Sequence, residues 1–142
     1  MGTKKYATAL VSLLMSTSCV SQSHDFKLDS EETLFKNFTL SVCLNTAYGQ
    51  SSPQLLNEAS KAANGYREFG HISLDAYEEA RQAVDIWLEK DYSSKSGGQI
   101  EIMKCIDLYN SDELSTIFEK HNPCKTKEAW LDQEEFKSKC YK

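Results

Sequence analysis

From Ser73 to Leu88 the apolar residues recur at Tyr77, Ala80, Val84, Trp87 and Leu88, which is one face of a 3.6-residue period. Glu78, Glu79, Arg81, Asp85 and Glu89 fall mostly elsewhere, as a solvated face requires. Ser73 stands at the N-cap position with Asp75 in the first turn, and Lys90 places a cation near the C-terminal end. No stretch of the chain sustains an apolar–polar alternation, so a strand has no pattern to form from. The spacing predicts an all-α fold, a compact bundle of five to six short helices.

The other helices follow by the same signals. The first is expected to begin at Asp29, paired with Glu32 as a cap, and to bury a stripe of Leu34, Phe38, Val42 and Asn45 with Phe35 and Cys43 beside it. Gly49 would end it in a left-handed cap. Ser52-Pro53 opens the second, whose narrow apolar face is Leu55, Leu56, Ala59, Ala62 and Ala63, and Asn64-Gly65 would close it. Tyr66 to Ile72 then reads as a connection to the third. A fourth helix is expected from near Gln99, with Ile102, Cys105, Ile106 and Tyr109 inward. Ser111 caps a fifth, with Leu114, Ile117 and Phe118 inward, and His121-Asn122-Pro123 stops it. A short helix around Glu128–Leu131, anchored by Trp130, completes the set. Asn37-Phe38-Thr39 matches a glycosylation triplet, but it lies in the middle of a helix and reads as chance.

At 142 residues the chain has room for one domain with one core. Its start differs from the rest. Lys4 and Lys5 precede an apolar run from Ala7 to Met15, followed by small residues, the layout of a secretory signal peptide. The run is too short to span a bilayer, which takes roughly 20 residues. The expected organisation is a signal peptide over 1–23 and a helical domain over 24–142. Ser18-Cys19 could form a lipoprotein junction, yet Ser16 stands where that motif has an aliphatic residue. Cleavage near Ser21 or Ser23 is therefore expected, and membrane attachment follows only if Cys19 is lipidated. The net charge of −5 becomes more negative once Lys4 and Lys5 are removed, which argues against nucleic acid and anionic membranes as partners.

Export places Cys43, Cys105, Cys124 and Cys140 in an oxidising compartment, where an even number suggests disulfides. Three pairings are possible. Cys43–Cys105 with Cys124–Cys140 is favoured, because the first bridge ties two helices and the second pins a C-terminal tail with little else to hold it. Chain entropy makes them worth about 4 and about 3 kcal/mol. No Cys-x-x-Cys occurs, so neither a zinc site nor a dithiol redox site is indicated, and the acids scatter rather than cluster as metal ligands. No cofactor is implied.

Catalysis needs a constellation. His24, His71 and His121 lie far apart in sequence, and no HExxH, phosphate loop or GxSxG is present. Cys105 with His71 is a conceivable nucleophile pair, but a cysteine in an apolar helical stripe of an exported protein is far more often half of a disulfide. The residues point away from an enzyme and toward binding. The segment best suited to it is Asp91-Tyr92-Ser93-Ser94-Lys95-Ser96-Gly97-Gly98, small and polar, held between two helices. Its lysine offers three donors, its serines short hydroxyls and its tyrosine an aromatic platform.

These residues also carry a family pattern. Tyr92-Ser93-Ser94-Lys95-Ser96-Gly97 follows a helix ending in Trp87-Leu88-Glu89-Lys90. It precedes Lys104-Cys105-Ile106-Asp107-Leu108-Tyr109, then Ser111 and Glu113-Leu114, with an earlier helical Cys43. The run resembles the type VI secretion amidase immunity proteins, in the branch cognate to effector family 4, over Glu31 to Phe118. The resemblance implies a periplasmic helical protein, usually a homodimer, of Gram-negative bacteria. Its partner would be a peptidoglycan amidase resembling papain-like cysteine peptidases. The loop Asp91 to Gly98, with Ser93, Ser94, Lys95 and Ser96 at its tip, would enter the catalytic groove. The alternative is a small exported envelope protein or lipoprotein with a structural or chaperone-like role.

Overall fold

The computed structural model describes residues 25–125 and 139–140. The expected signal peptide, Cys19, His24 and the helix around Trp130 lie outside these residues. Five α-helices form within them: α1 (Glu31–Tyr48), α2 (Pro53–Phe69), α3 (Leu74–Leu88), α4 (Glu101–Tyr109) and α5 (Asp112–Lys120), with short 3-10 turns at Phe26–Leu28 and Pro123–Lys125. The all-α expectation holds.

α1 is the hub, in contact with all four other helices. Phe35, Phe38 and Val42 from α1 meet Tyr77, Ala80 and Val84 from α3, Leu108 from α4, and Leu114 and Phe118 from α5. Phe38 packs edge-on to Tyr77 with ring centroids 4.5 Å apart, and Phe35 lies 6.0 Å from Phe118. Cys43 and Cys105, both fully buried, are bridged and staple α4 to α1. Cys124–Cys140 is the second bridge. It holds Lys139 against α2, where the Lys139 ammonium donates to the Phe69 carbonyl at 2.6 Å, a cation at a helix C-terminus. The favoured pairing is thus the one formed.

Ser52, Ser73 and Ser111 cap α2, α3 and α5 as read from the sequence, each hydroxyl accepting from a backbone N–H three residues on. At α1 the expectation shifts by one residue. Ser30, not Asp29, is the cap, and its Oγ accepts from Thr33 N at 3.1 Å. Glu31 is thereby turned inward to 2% exposure, where its carboxylate accepts from His71 N at 2.7 Å and pairs with His71 Nδ1 at 2.9 Å. A buried carboxylate needs such partners, and they pin the start of α1 to the α2–α3 connection. Gly49 is right-handed rather than left-handed, and its missing Cβ leaves room for Leu56 beside it.

Asn64-Gly65 does not end α2, which runs on to Phe69 with Gly70 as its cap. Phe26 lies over Gly65 and meets Tyr66 and Phe69 edge-on at 5.6 Å, so aromatic packing outweighs the roughly 1 kcal/mol that a mid-helix glycine costs. The connection shrinks accordingly. At Gly70 a Cβ would stand 2.6 Å from the Tyr77 hydroxyl. Burial, with the Glu31 carboxylate next in weight, pushes that hydroxyl up to about 12.

α4 departs most from its expected stripe. It begins at Glu101, and Ile102 and Ile106 face solvent together with Met103, while Lys104, Cys105 and Leu108 are buried. The Cys43–Cys105 bridge sets the helix's rotation, and the buried Lys104 stem takes the neighbouring place, its ammonium donating to Leu88 O at 2.7 Å.

Candidate partner-binding loop

The segment between α3 and α4 is anchored on both sides. At its start, Lys90 stacks on the Trp87 ring, 3.0 Å from the centroid, and the Trp87 indole donates to Glu113 of α5 at 2.8 Å. Lys104 of α4 holds the last turn of α3 through Leu88 O and pairs with Glu101. The next residue, Cys105, is covalently tied to α1. Tyr92 donates its hydroxyl to Asp107 of α4 at 2.9 Å, fastening the loop's first limb to the helix that follows it.

Within the segment the chain doubles back. Ser93 and Gln99 form an isolated antiparallel bridge, Ser94 N donates to Gly98 O at 2.9 Å, and Ile100 N to Tyr92 O at 3.0 Å. Gly97 N closes the tip by donating to Ser94 O at 3.0 Å. Gly97 and Gly98 carry φ of 93° and 81°, the left-handed region, with nothing within 4 Å of a Cβ at either. Conformation rather than space therefore requires glycine here. Ser94 and Ser96 hydroxyls bond one another at 2.8 Å. Asp91, Ser93, Lys95, Ser96, Gly97 and Gly98 are exposed, while Tyr92 and Ser94 are half-buried. All eight residues singled out from the sequence thus stand in one protruding hairpin-like turn, and Lys95 is at its tip.

Hydrogen bonds from the Ser93 hydroxyl and then the Gln99 carboxamide hold the Asp91 carboxyl below the ordinary aspartate range. A depressed pKa stabilises the folded turn above the free aspartate value and ceases to do so as pH falls through the folded value. The turn is therefore expected to keep its shape from neutral to mildly acidic solution and to loosen only below that range. An NMR titration of the Asp91 side-chain carboxyl checks this, and a midpoint at or above that of an unstructured aspartate would contradict the turn as drawn.

Among the described residues, those considered for catalysis do not assemble. His71 is spent on Glu31, His121 bonds Glu79 at 2.9 Å and the Ser73 hydroxyl at 3.0 Å, and Cys105 is half of a disulfide. Among the described residues no group of three or more His, Cys, Asp and Glu is placed to hold a metal ion. Sequence reasoning missed Lys104 and Gln99, the two polar residues that frame the turn. A lone lysine inside Ile102-Met103-Lys104-Cys105-Ile106 is the signal that pointed to the first; Gln99 had none beyond following two glycines.

The model of the Tai4 family, type VI secretion system (T6SS) amidase immunity protein, matches residues 33–118. The chain belongs to this family. Tai4 proteins are immunity proteins, which inhibit rather than catalyse, so this chain is not an enzyme. Its Tai4 fold is similar to a chain in the crystal structure of the effector Tae4 from Salmonella typhimurium in complex with the immunity Tai4 from Enterobacter cloacae. The TM-score is 0.61 at 21% identity, covering 68% of this chain and 97% of that one. No curated protein matches. The Tai4 match takes in α3, α4 and the turn between them, so the loop geometry above lies wholly inside the family's part of the chain.

Proposed function

We propose that this protein binds a type VI secreted peptidoglycan amidase and blocks it by placing the Asp91–Gly98 turn in the catalytic groove. One observation carries the reading: in a chain of an amidase immunity family, the exposed segment between α3 and α4 is a self-bonded turn whose flanking helices are tied together by the buried Lys104. Such a turn loses little conformational freedom on entering a cleft. Its tip is narrow, because Ser94, Ser96 and the two glycines are small. Lys95 projects the one cation of the turn and has no hydrogen-bond partner among the described residues. Occlusion asks nothing more of the inhibitor than shape and a few polar contacts.

The site of action on this reading is the periplasm, where the cell wall lies and where both disulfides persist. Export would come from residues 1–23. A homodimer belongs to the same reading, and Ile102, Met103 and Ile106, exposed on α4, offer apolar surface for it. The test is purified mature protein titrated into its cognate amidase with peptidoglycan as substrate. Hydrolysis should stop at an equimolar ratio, and light scattering of the complex should give two copies of each chain. Undiminished hydrolysis removes the reading, and a one-to-one mass removes the dimer.

A further inference from the structure

We infer that Gln99 is a positioning residue for partner binding, its side-chain amide fixing the shape of the Asp91–Gly98 turn before the partner arrives. The inference rests on the occlusion reading above and adds a residue just outside the turn. Gln99 Oε1 accepts from Tyr92 N at 2.9 Å. Its Nε2 donates to Asp91 Oδ1 at 2.8 Å and to Ser93 Oγ at 3.3 Å. One carboxamide at the end of the turn therefore grips all three residues at its beginning. Ser93 completes the ring by donating its own hydroxyl to Asp91.

The direction of the amide follows from its partners. Flipped, its oxygen would face the Asp91 carboxylate and its NH2 would face the Tyr92 N–H, two repulsive contacts in place of the bonds. Only an amide offers an acceptor and a donor from one planar group at this position. Without it, the limbs keep only the main-chain bonds Ser94 N to Gly98 O, Ile100 N to Tyr92 O and, at the tip, Gly97 N to Ser94 O, in a turn that includes two glycines that resist few conformations. A partner that accepts one shape of the turn then meets it in only a fraction of molecules, and its apparent affinity falls by that fraction.

The experiment uses the mature protein and its cognate amidase. Gln99→Ala is expected to slow association by about tenfold with dissociation little changed, the mark of a lost pre-formed state. Gln99→Glu sets a second carboxylate against Asp91 and is expected to slow association further. Adding Asp91→Asn to Gln99→Glu exchanges donor and acceptor across the same bond while an oxygen still faces Tyr92 N, and should recover association to within about threefold. Melting temperatures should not move, because Gln99 and Asp91 are exposed and outside the core. Amide 15N relaxation at Ser94 and Gly97 in the free protein should report faster motion in both single variants and normal motion in the double variant.

An unchanged association rate in Gln99→Ala, or a double variant no better than Gln99→Glu, overturns the inference. The variant with Ser94, Lys95 and Ser96 replaced, run in parallel, separates the two levels. If it binds with full affinity the occlusion reading fails, whereas if it alone loses affinity only the role of Gln99 does.

Discussion

Replacing Ser94, Lys95 and Ser96 together by bulky or acidic residues is expected to weaken binding to the cognate amidase by about 4 kcal/mol, roughly a thousandfold. The magnitude follows from where these residues stand. They form the tip of a turn whose limbs are bonded to each other and whose ends are held by Lys104 and the Cys43–Cys105 bridge. A rigid presenter cannot bend to relieve a clash, so added volume at the tip is felt in full. An acidic side chain at position 95 also removes the turn's only cation. Because Lys95 and Ser96 are exposed, Ser94 is half-buried and none of the three belongs to the core, the same variant should melt close to the temperature of the parent protein. Calorimetric titration measures the affinity. Inhibition retained at parental strength would show that the tip is not what enters the groove.

The second large effect is expected from Cys43→Ala combined with Cys105→Ala. The two residues are 62 apart in sequence, and opening a loop of that length returns conformational entropy to the unfolded chain worth about 4 kcal/mol. Both are fully buried, so the variant also loses packing where α4 meets α1. For a domain of this size the melting temperature should fall by about 20 °C. Thermal unfolding followed by circular dichroism reads it directly. A drop of only a few degrees would mean that α4 is held by Leu108 and Lys104 without the bridge. The Cys124–Cys140 bridge closes a shorter loop and lies at the edge of the fold, so its removal is the milder change.

Much of the helix content could be read from local signals, because caps and periodicity act over three or four residues. Ser52, Ser73 and Ser111 are read correctly for that reason. Three of the misreadings share one cause, a distant contact that outweighed a local preference. Gly65 looks like a stop, but Phe26 lies against it from some forty residues earlier in the chain. Asp29 looks like a cap, but Glu31 has to reach His71, and Ser30 serves the geometry that results. Ile102 and Ile106 look like core, but a covalent bond to Cys43 turns their helix. The turn was legible as a candidate site through the family pattern around Tyr92 and Lys95 more than through its composition, while the amide of Gln99 that bonds its first three residues carried no signal in sequence.

The sequence by itself determined the all-α class, the N-terminal caps of α2, α3 and α5 and the eight-residue segment between α3 and α4, since each rests on residue types and spacings a few positions apart; of the three cysteine pairings it only favoured one, and the fold decided it by bringing Cys43 to Cys105. Tertiary structure alone decided which face of α4 is buried, that Glu31 and Lys104 spend their charges inside the fold, and that Gln99 closes the turn. Those outcomes depend on groups up to 62 residues apart meeting in space, where burial and pairing outweigh any preference a short segment holds alone.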